Sequence, residues 1–274
     1  AAMMNKHDTV GQDIVNHCVN DILVQGAKPL FFMDYIGTAK VDPVQFKNVV
    51  SGLCKACKEN KMALLGGETA EMPGLYPAGE YDLVGTIVGC VKKSELITGK
   101  SIRAGDVIIG FPSGGLQTNG FSLARRVIFD LCQYSWKDKL PGTNQTFGEA
   151  LLAVHKSFLK PVSKLLERKI KITGMAHITG GGFPDNIPRV LPKAVNAEID
   201  RDAWEVPTIF KFIQNQGKVD RDEMYRVFNM GIGYVVILPK SQLAKATNIL
   251  KAQHQPYSII GVIRKGTGVV TYKN

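Results

Sequence analysis

The sequence predicts an α/β (α+β) protein of two domains, and three observations carry that prediction. Its 274 residues exceed what one core usually serves, since domains run about 100–150 residues. Apolar runs of strand length alternate with segments of helical apolar spacing. A polar turn region at residues 92–105 separates two such series, and a boundary near Lys100 divides the chain into residues 1–99 and 100–274.

The elements follow in order. Thr9-x-x-Gln12 has the form of a capping box ahead of an apolar run. Ile14, Val15, Cys18, Val19, Ile22 and Leu23 then recur at helical spacing, and Gly26 supplies the stop. Residues 29–35 read as a short buried strand. A helix follows Pro43, with Phe46, Val49, Val50, Leu53, Cys54 and Cys57 on one apolar face. Residues 62–65 read as a strand, a Gly/Pro loop runs to Glu80, and residues 81–91 read as a long strand. In the second half a strand at 107–111 leads through a Gly-rich turn to a helix from about Phe121. A loop surrounds Pro141, and two helical stretches occupy 147–168. A strand at 172–177 runs into Thr179 and three glycines. Short helices, a strand at 234–238, a helix at 241–253 and strands near Ile259 and Val269 close the chain.

Composition narrows the function. With 45% hydrophobic and 21% charged residues the chain can bury a core, which argues against disorder. The net charge of +10 suits anionic partners. But the Lys and Arg residues are scattered, without the clustered patch of a nucleic-acid binder, so anionic small molecules fit better. The five cysteines, an odd count without a secretory signal, point to a reducing, cytoplasmic setting. No apolar run approaches the roughly 20 residues that span a bilayer, so no membrane role is expected. Residues 1–8 carry no apolar signal region. The opening reads as a cut, because the first helical signal begins almost at once.

Four places carry candidate chemistry. Asp13, His17, Asn20 and Asp21 form a polar stripe on the first helix. It is either a solvated face or a Mg²⁺–phosphate site. Gly66-Gly67-Glu68-Thr69-Ala70-Glu71 follows an apolar strand, where glycines let a ligand approach or merely form a turn. Ser113-Gly-Gly-Leu-Gln-Thr-Asn119-Gly120 lies between strand and helix, as an anion-binding loop or a structural turn. It lacks the lysine of a P-loop. His177-Ile-Thr179-Gly180-Gly181-Gly182 ends a strand, and His177 is either a satisfied structural residue or a general acid or base. Cys54-x-x-Cys57 has no second pair to complete a zinc site, and both thiols are expected in the core.

Taken together, the motifs resemble one family. His7-Asp-Thr-Val-Gly-Gln-Asp-Ile-Val15, Cys18-Val-Asn-Asp21 and Gln25-Gly-Ala-Lys-Pro-Leu-Phe-Phe-Met-Asp-Tyr35 look like the N-domain of the AIR synthetase family. Gly66-Gly-Glu-Thr-Ala-Glu-Met-Pro-Gly74 is similar to that family's central signature. The Ser113 loop, Ala176-His-Ile-Thr-Gly-Gly-Gly182, Asn186-Ile-Pro-Arg-Val-Leu-Pro192 and Phe228-Asn-Met-Gly-Ile-Gly233 look like its C-domain. Gln117 stands where the family usually has His. The resemblance implies an N-domain that lends strands to a dimeric β-barrel, an α/β C-domain, and further nucleotide-site motifs upstream of residue 1. It implies ATP-dependent closure of an imidazole ring on formylglycinamidine ribonucleotide, with ATP and Mg²⁺ as cofactors and a homodimer as the assembly. By the same resemblance His177 and Asp21 are expected to be catalytic. Asn20, Asp21, Gly67, Glu68 and Thr69 are expected at the nucleotide, with Asp21 and Glu68 as Mg²⁺ ligands. Ser113, Asn119, Gly120, Thr179, Gly180, Gly181, Gly182 and Asn186 are expected at the substrate. The alternatives are another enzyme of the same superfamily, a non-enzymatic dimerisation or scaffold fragment, or one domain of a larger multifunctional purine enzyme.

Overall fold

The computed structural model describes residues 1–273. The first half runs α1 (Asp8–Leu23), β1 (Lys28–Thr38), α2 (Pro43–Glu59), β2 (Ala63–Glu71) and β3 (Tyr81–Cys90). The strands form one sheet in the order β2-β1-β3, with β1 parallel to β2 and antiparallel to β3. Pro43 opens α2, and the Asp42 carboxylate accepts from the Val44 and Gln45 N–H groups. The two helices touch backbone to backbone: a Cβ on Gly11 would fall 2.2 Å from the Val49 carbonyl oxygen, and one on Gly52 would fall 2.3 Å from that of Asp8. Val15, Val19, Val49, Leu53, Phe32 and Ile36 close the core between helices and sheet.

Three expectations need correction here. The capping box does not form: α1 starts at Asp8 after His7, and Thr9 lies buried inside the first turn with its hydroxyl unpartnered. His7 Nδ1 instead meets the Tyr81 hydroxyl at 2.8 Å and ties the helix start to β3. Residues 66–71 are strand, not loop. Their glycines are poor strand formers, but β1 extends far enough to pair Gly67 with Asp34 and Glu71 with Thr38. Of the two helix cysteines only Cys57 is buried; Cys54 is exposed.

The second half contains a six-stranded sheet of order β5-β7-β4-β8-β6-β9. Its strands are β4 (Val107–Pro112), β5 (Gly174–His177), β6 (Val195–Ile199), β7 (Ile232–Leu238), β8 (Ser258–Lys265) and β9 (Val270–Tyr272). Helices α3 (Phe121–Arg125), α4 (Phe147–Leu151), α5 (Leu159–Glu167), α6 (Gly182–Asn186), α7 (Thr208–Gly217), α8 (Arg221–Val227) and α9 (Leu243–Ala252) connect them. A π-helical turn, Arg126–Leu131, extends α3. Every residue of β7 is buried. Ile232, Val235 and Ile237 face a core with Phe183, Phe210 and Phe228; Tyr234, Val236 and Leu238 face one with Phe158, Leu165 and Leu250. A strand covered on both faces reads as a continuous apolar run, which is why β7 was visible in the sequence. Strand β6 was not read there: five residues alternating around Asn196 are too short a period-two signal.

Candidate active site

The two halves meet along the polar stripe of α1. Asp13 accepts from the His155 N–H at 2.8 Å, and Asn16 donates to the His155 carbonyl at 2.8 Å. Asn20 donates to the Lys156 carbonyl at 2.8 Å and accepts from the Phe158 N–H at 2.9 Å. The stripe therefore zips α1 to the extended segment before α5, and Asn20, fully buried, has both ends of its amide engaged. Burial pushes the Asp13 carboxyl up to about 6, against the pull of the His155 N–H.

Beside the zip four side chains from three segments cluster. His177, at the end of β5, bonds Asp21 Oδ1 through Nδ1 at 2.8 Å. Its Nε2 faces Nε2 of His155 at 3.0 Å. His17 Nε2 lies 3.3 Å from the other oxygen of Asp21. His155 and His177 are buried, and burial holds the pKa of each below the ordinary histidine value, that of His155 well below. Burial acts to raise the Asp21 pKa, but the bonds from His17 and His177 outweigh it and hold the carboxyl below its usual range. At neutral pH the centre is thus an ionised Asp21 beside neutral His155 and His177. Since a carboxylate only accepts, His177 carries its proton on Nδ1, and its Nε2 accepts from His155 Nε2–H.

Two glycine loops border this cluster. After β4, Ser113 donates to the Gly115 carbonyl and meets Asn229 Oδ1 at 3.0 Å, while Asn229 donates to Gly115 and Leu116. Gln117 accepts from the Gly114 N–H, and its own Nε2 is buried without a partner. Thr118 Oγ1 stands 3.4 Å from Nδ1 of both His17 and His155. After β5, Asn186 donates to the carbonyls of Thr179, Gly180 and Gly182 and braces that loop from beneath. The loops touch: a Cβ on Gly180 would stand 3.0 Å from Asn119 Oδ1. Gly120 and Gly182 serve packing, since a Cβ would fall 2.2 Å from the Phe228 ring and 1.9 Å from the Tyr225 carbonyl oxygen.

The structure thus gathers Asp21, His177, Ser113, Asn119, Gly180 and their neighbours at one seam. It leaves Gly67, Glu68 and Thr69 apart on β2. Glu68 pairs with Tyr35 on the sheet face turned away from α1 and is exposed, and its carboxylate accepts from the Thr69 N–H. Among the described residues no hydrogen bond or ion pair joins it to Asp21. With Asp21 on α1 and Glu68 on the opposite face of the sheet, the structure does not bring the pair to one Mg²⁺ ion, whose oxygen ligands surround it in an octahedron. Sequence reasoning missed His155 and Thr118. His155 falls within residues 147–168, read as two helical stretches, but lies between α4 and α5, and only the zip along α1 brings it to His177.

Family models match both halves: "AIR synthase related protein, N-terminal domain" over residues 1–91, and "AIR synthase related protein, C-terminal domain" over residues 103–273. The chain is 49% identical over 267 residues to a phosphoribosylformylglycinamidine cyclo-ligase of Alkaliphilus metalliredigens, covering 97% of this chain and 77% of the relative. It is 45% identical over 269 residues to the enzyme of that name from Bacillus subtilis, covering 98% and 78%. Among solved structures it resembles the hydrogenase maturation protein HypE in complex with ATP at a TM-score of 0.71 and 19% identity, covering 96% of this chain and 75% of that one. It resembles thiamine-monophosphate kinase from Stenotrophomonas maltophilia at a TM-score of 0.71 and 16% identity, covering 98% and 79%. These last two likenesses bear on the fold alone. Among the described residues no helix is long and apolar enough to cross a membrane.

Proposed function

The chain belongs to the AIR synthase related family, among the phosphoribosylformylglycinamidine cyclo-ligases, and from that premise we propose that it closes the imidazole ring of formylglycinamidine ribonucleotide at the expense of ATP. The amide oxygen of the substrate attacks the γ-phosphorus, and ADP leaves. The amidine nitrogen then attacks the carbon that bears the new O-phosphate. Phosphate departs, and 5-aminoimidazole ribonucleotide results. Such chemistry needs phosphate groups held in place and a proton taken from the amidine nitrogen, so positioning and charge neutralisation supply most of the rate.

The observation that carries this reading is the convergence of the two glycine loops, after β4 and after β5, beside the Asp21–His177–His155 chain. Ser113, Asn119 and residues 179–181 take the substrate side, while Gly120 and Gly182 pack their loops into place. Asn186 holds the second loop in shape. His177 moves protons through His155, toward which its Nε2 points. Asn20 serves the nucleotide site by fixing α1. Mg²⁺ would neutralise charge on the phosphates of ATP; exposed Glu68 could offer it a carboxylate oxygen, whereas both oxygens of Asp21 face imidazoles. The same reading includes a homodimer, a cytoplasmic setting and a division into domains near residue 100.

The assay is ADP release. It should require both ATP and formylglycinamidine ribonucleotide and yield aminoimidazole ribonucleotide in equal amount. ADP release indifferent to that substrate would overturn the reading.

A further inference from the structure

Three histidines from three segments face one another across the seam. One ring nitrogen from each of His17, His155 and His177 lies within 4.8 Å of the others. The Nε2 atoms of His155 and His177 are 3.0 Å apart. In a tetrahedral zinc site with Zn–N bonds of about 2.0–2.1 Å, two ligand nitrogens stand about 3.3 Å apart. The pair therefore has to open by only a few tenths of an ångström to take an ion, once His155 Nε2 has given up its proton.

The surroundings fit as well. Metal-bound imidazoles are oriented by a carboxylate on the far ring nitrogen. Asp21 does this for His177, with 2.8 Å between Oδ1 and Nδ1, and its other oxygen lies 3.3 Å from His17 Nε2. His177 Nε2 is thereby left with its lone pair turned inward. When an ion enters, the proton on His155 Nε2 shifts to Nδ1, where Thr118 Oγ1 stands 3.4 Å away. Imidazole walls suit zinc, cobalt, nickel and copper, whereas Mg²⁺ takes oxygen ligands.

We propose that His17, His155 and His177 bind one divalent transition-metal ion of the zinc class, with Asp21 as the orienting carboxylate and the fourth position open. The site stands on these side chains alone and does not depend on the cyclo-ligase reading. If both hold, they oppose each other: an ion on His177 Nε2 removes that nitrogen from proton transfer, so zinc inhibits the reaction.

The test is a titration of the metal-stripped protein, without substrate, with Zn²⁺ by calorimetry and with Co²⁺ by visible absorption. One ion per chain is expected, with the ligand-field bands of four-coordinate Co²⁺ and no thiolate charge-transfer band. Asp21→Asn should weaken binding about 10–100-fold, the usual effect of losing an orienting partner. His17→Ala and His155→Ala should each weaken it at least as much, and His254→Asn, at an exposed histidine, should not. His155 is fully buried, so thermal melts in chelator check that its variant folds; His17, partly exposed, provides an independent variant. Absence of saturable binding at one ion per chain overturns the site. So does binding that survives His17→Ala unchanged, or a thiolate band, which would assign the ion to cysteine.

Discussion

His177 has no free ring nitrogen: Asp21 holds Nδ1 and His155 holds Nε2. An acid–base role for it would therefore run through a partner, and the substitution His177→Asn cuts the hydrogen-bonded chain in the middle. It should lower kcat about 10²–10⁴-fold, the worth of a positioned acid or base. It should also cost about 1–3 kcal/mol of stability by orphaning buried groups. ADP release that survives within a few-fold would leave His177 only a structural part. His7 offers a separate test by pH. Burial, the largest cause, holds its pKa below 6.5. A depressed folded-state pKa means a contribution present above about pH 6.5 and lost as pH falls through the folded value. Urea midpoints measured from pH 7.5 downward should thus fall less in His7→Gln than in the parent protein. An equal fall in both would show that His7 does not carry this linkage. His177 and Asp21 could be picked out in the sequence because each lies in a recognisable motif, His177 at the head of a glycine-rich one. His155 was not, since nothing local marks it and its place depends on contacts more than 130 positions distant in the chain, such as Asn16 to His155.

At the scale of elements, the strands buried on both faces were legible and the glycine segments were not. Residues 66–71 read as a loop because glycine disfavours strand; the partner strand decided otherwise. The same lesson separates the glycines of the 177–182 loop. The sequence suggests that all of them make room for a ligand. In the structure Gly182, with φ of +55°, makes room for the Tyr225 carbonyl, whereas Gly180 faces only the end of the Asn119 side chain. Gly182→Ala meets backbone in a left-handed conformation and should cost more than about 2 kcal/mol. Gly180→Ala should leave the melting temperature nearly unchanged and weaken substrate binding, seen as a raised KM for formylglycinamidine ribonucleotide. If Gly180→Ala instead unfolds the protein, that loop is a packing element throughout. If it leaves KM untouched, the loop is not at the substrate.

At the scale of the whole molecule, the two sheets differ in one respect. The six-stranded sheet is covered on both faces. The three-stranded sheet packs α1 and α2 on one face, while the other shows Leu65 at 64%, Val84 at 53% and Val88 at 38% exposure. Strand β3 alternates without a break, so Val84 and Val88 stand in one outward row with Asp82, Thr86 and Cys90, and Leu65 adds an exposed apolar side chain on β2. Among the described residues its two outer strands, β2 and β3, have no further partner. Apolar rows next to open strand edges invite another chain, and soluble monomers normally blunt them with charge or proline. A second copy would cover both face and edge. Light scattering at micromolar concentration should therefore return about 60 kDa, twice the 30.0 kDa of one chain. Val84→Glu places a charge at the centre of the row, where burial without a partner costs several kcal/mol. It should shift the mass toward that of one chain while circular dichroism stays unchanged, because Val84 makes no contribution to the core beneath. A parent protein of about 30 kDa, or a dimer indifferent to Val84→Glu, would place the contact elsewhere.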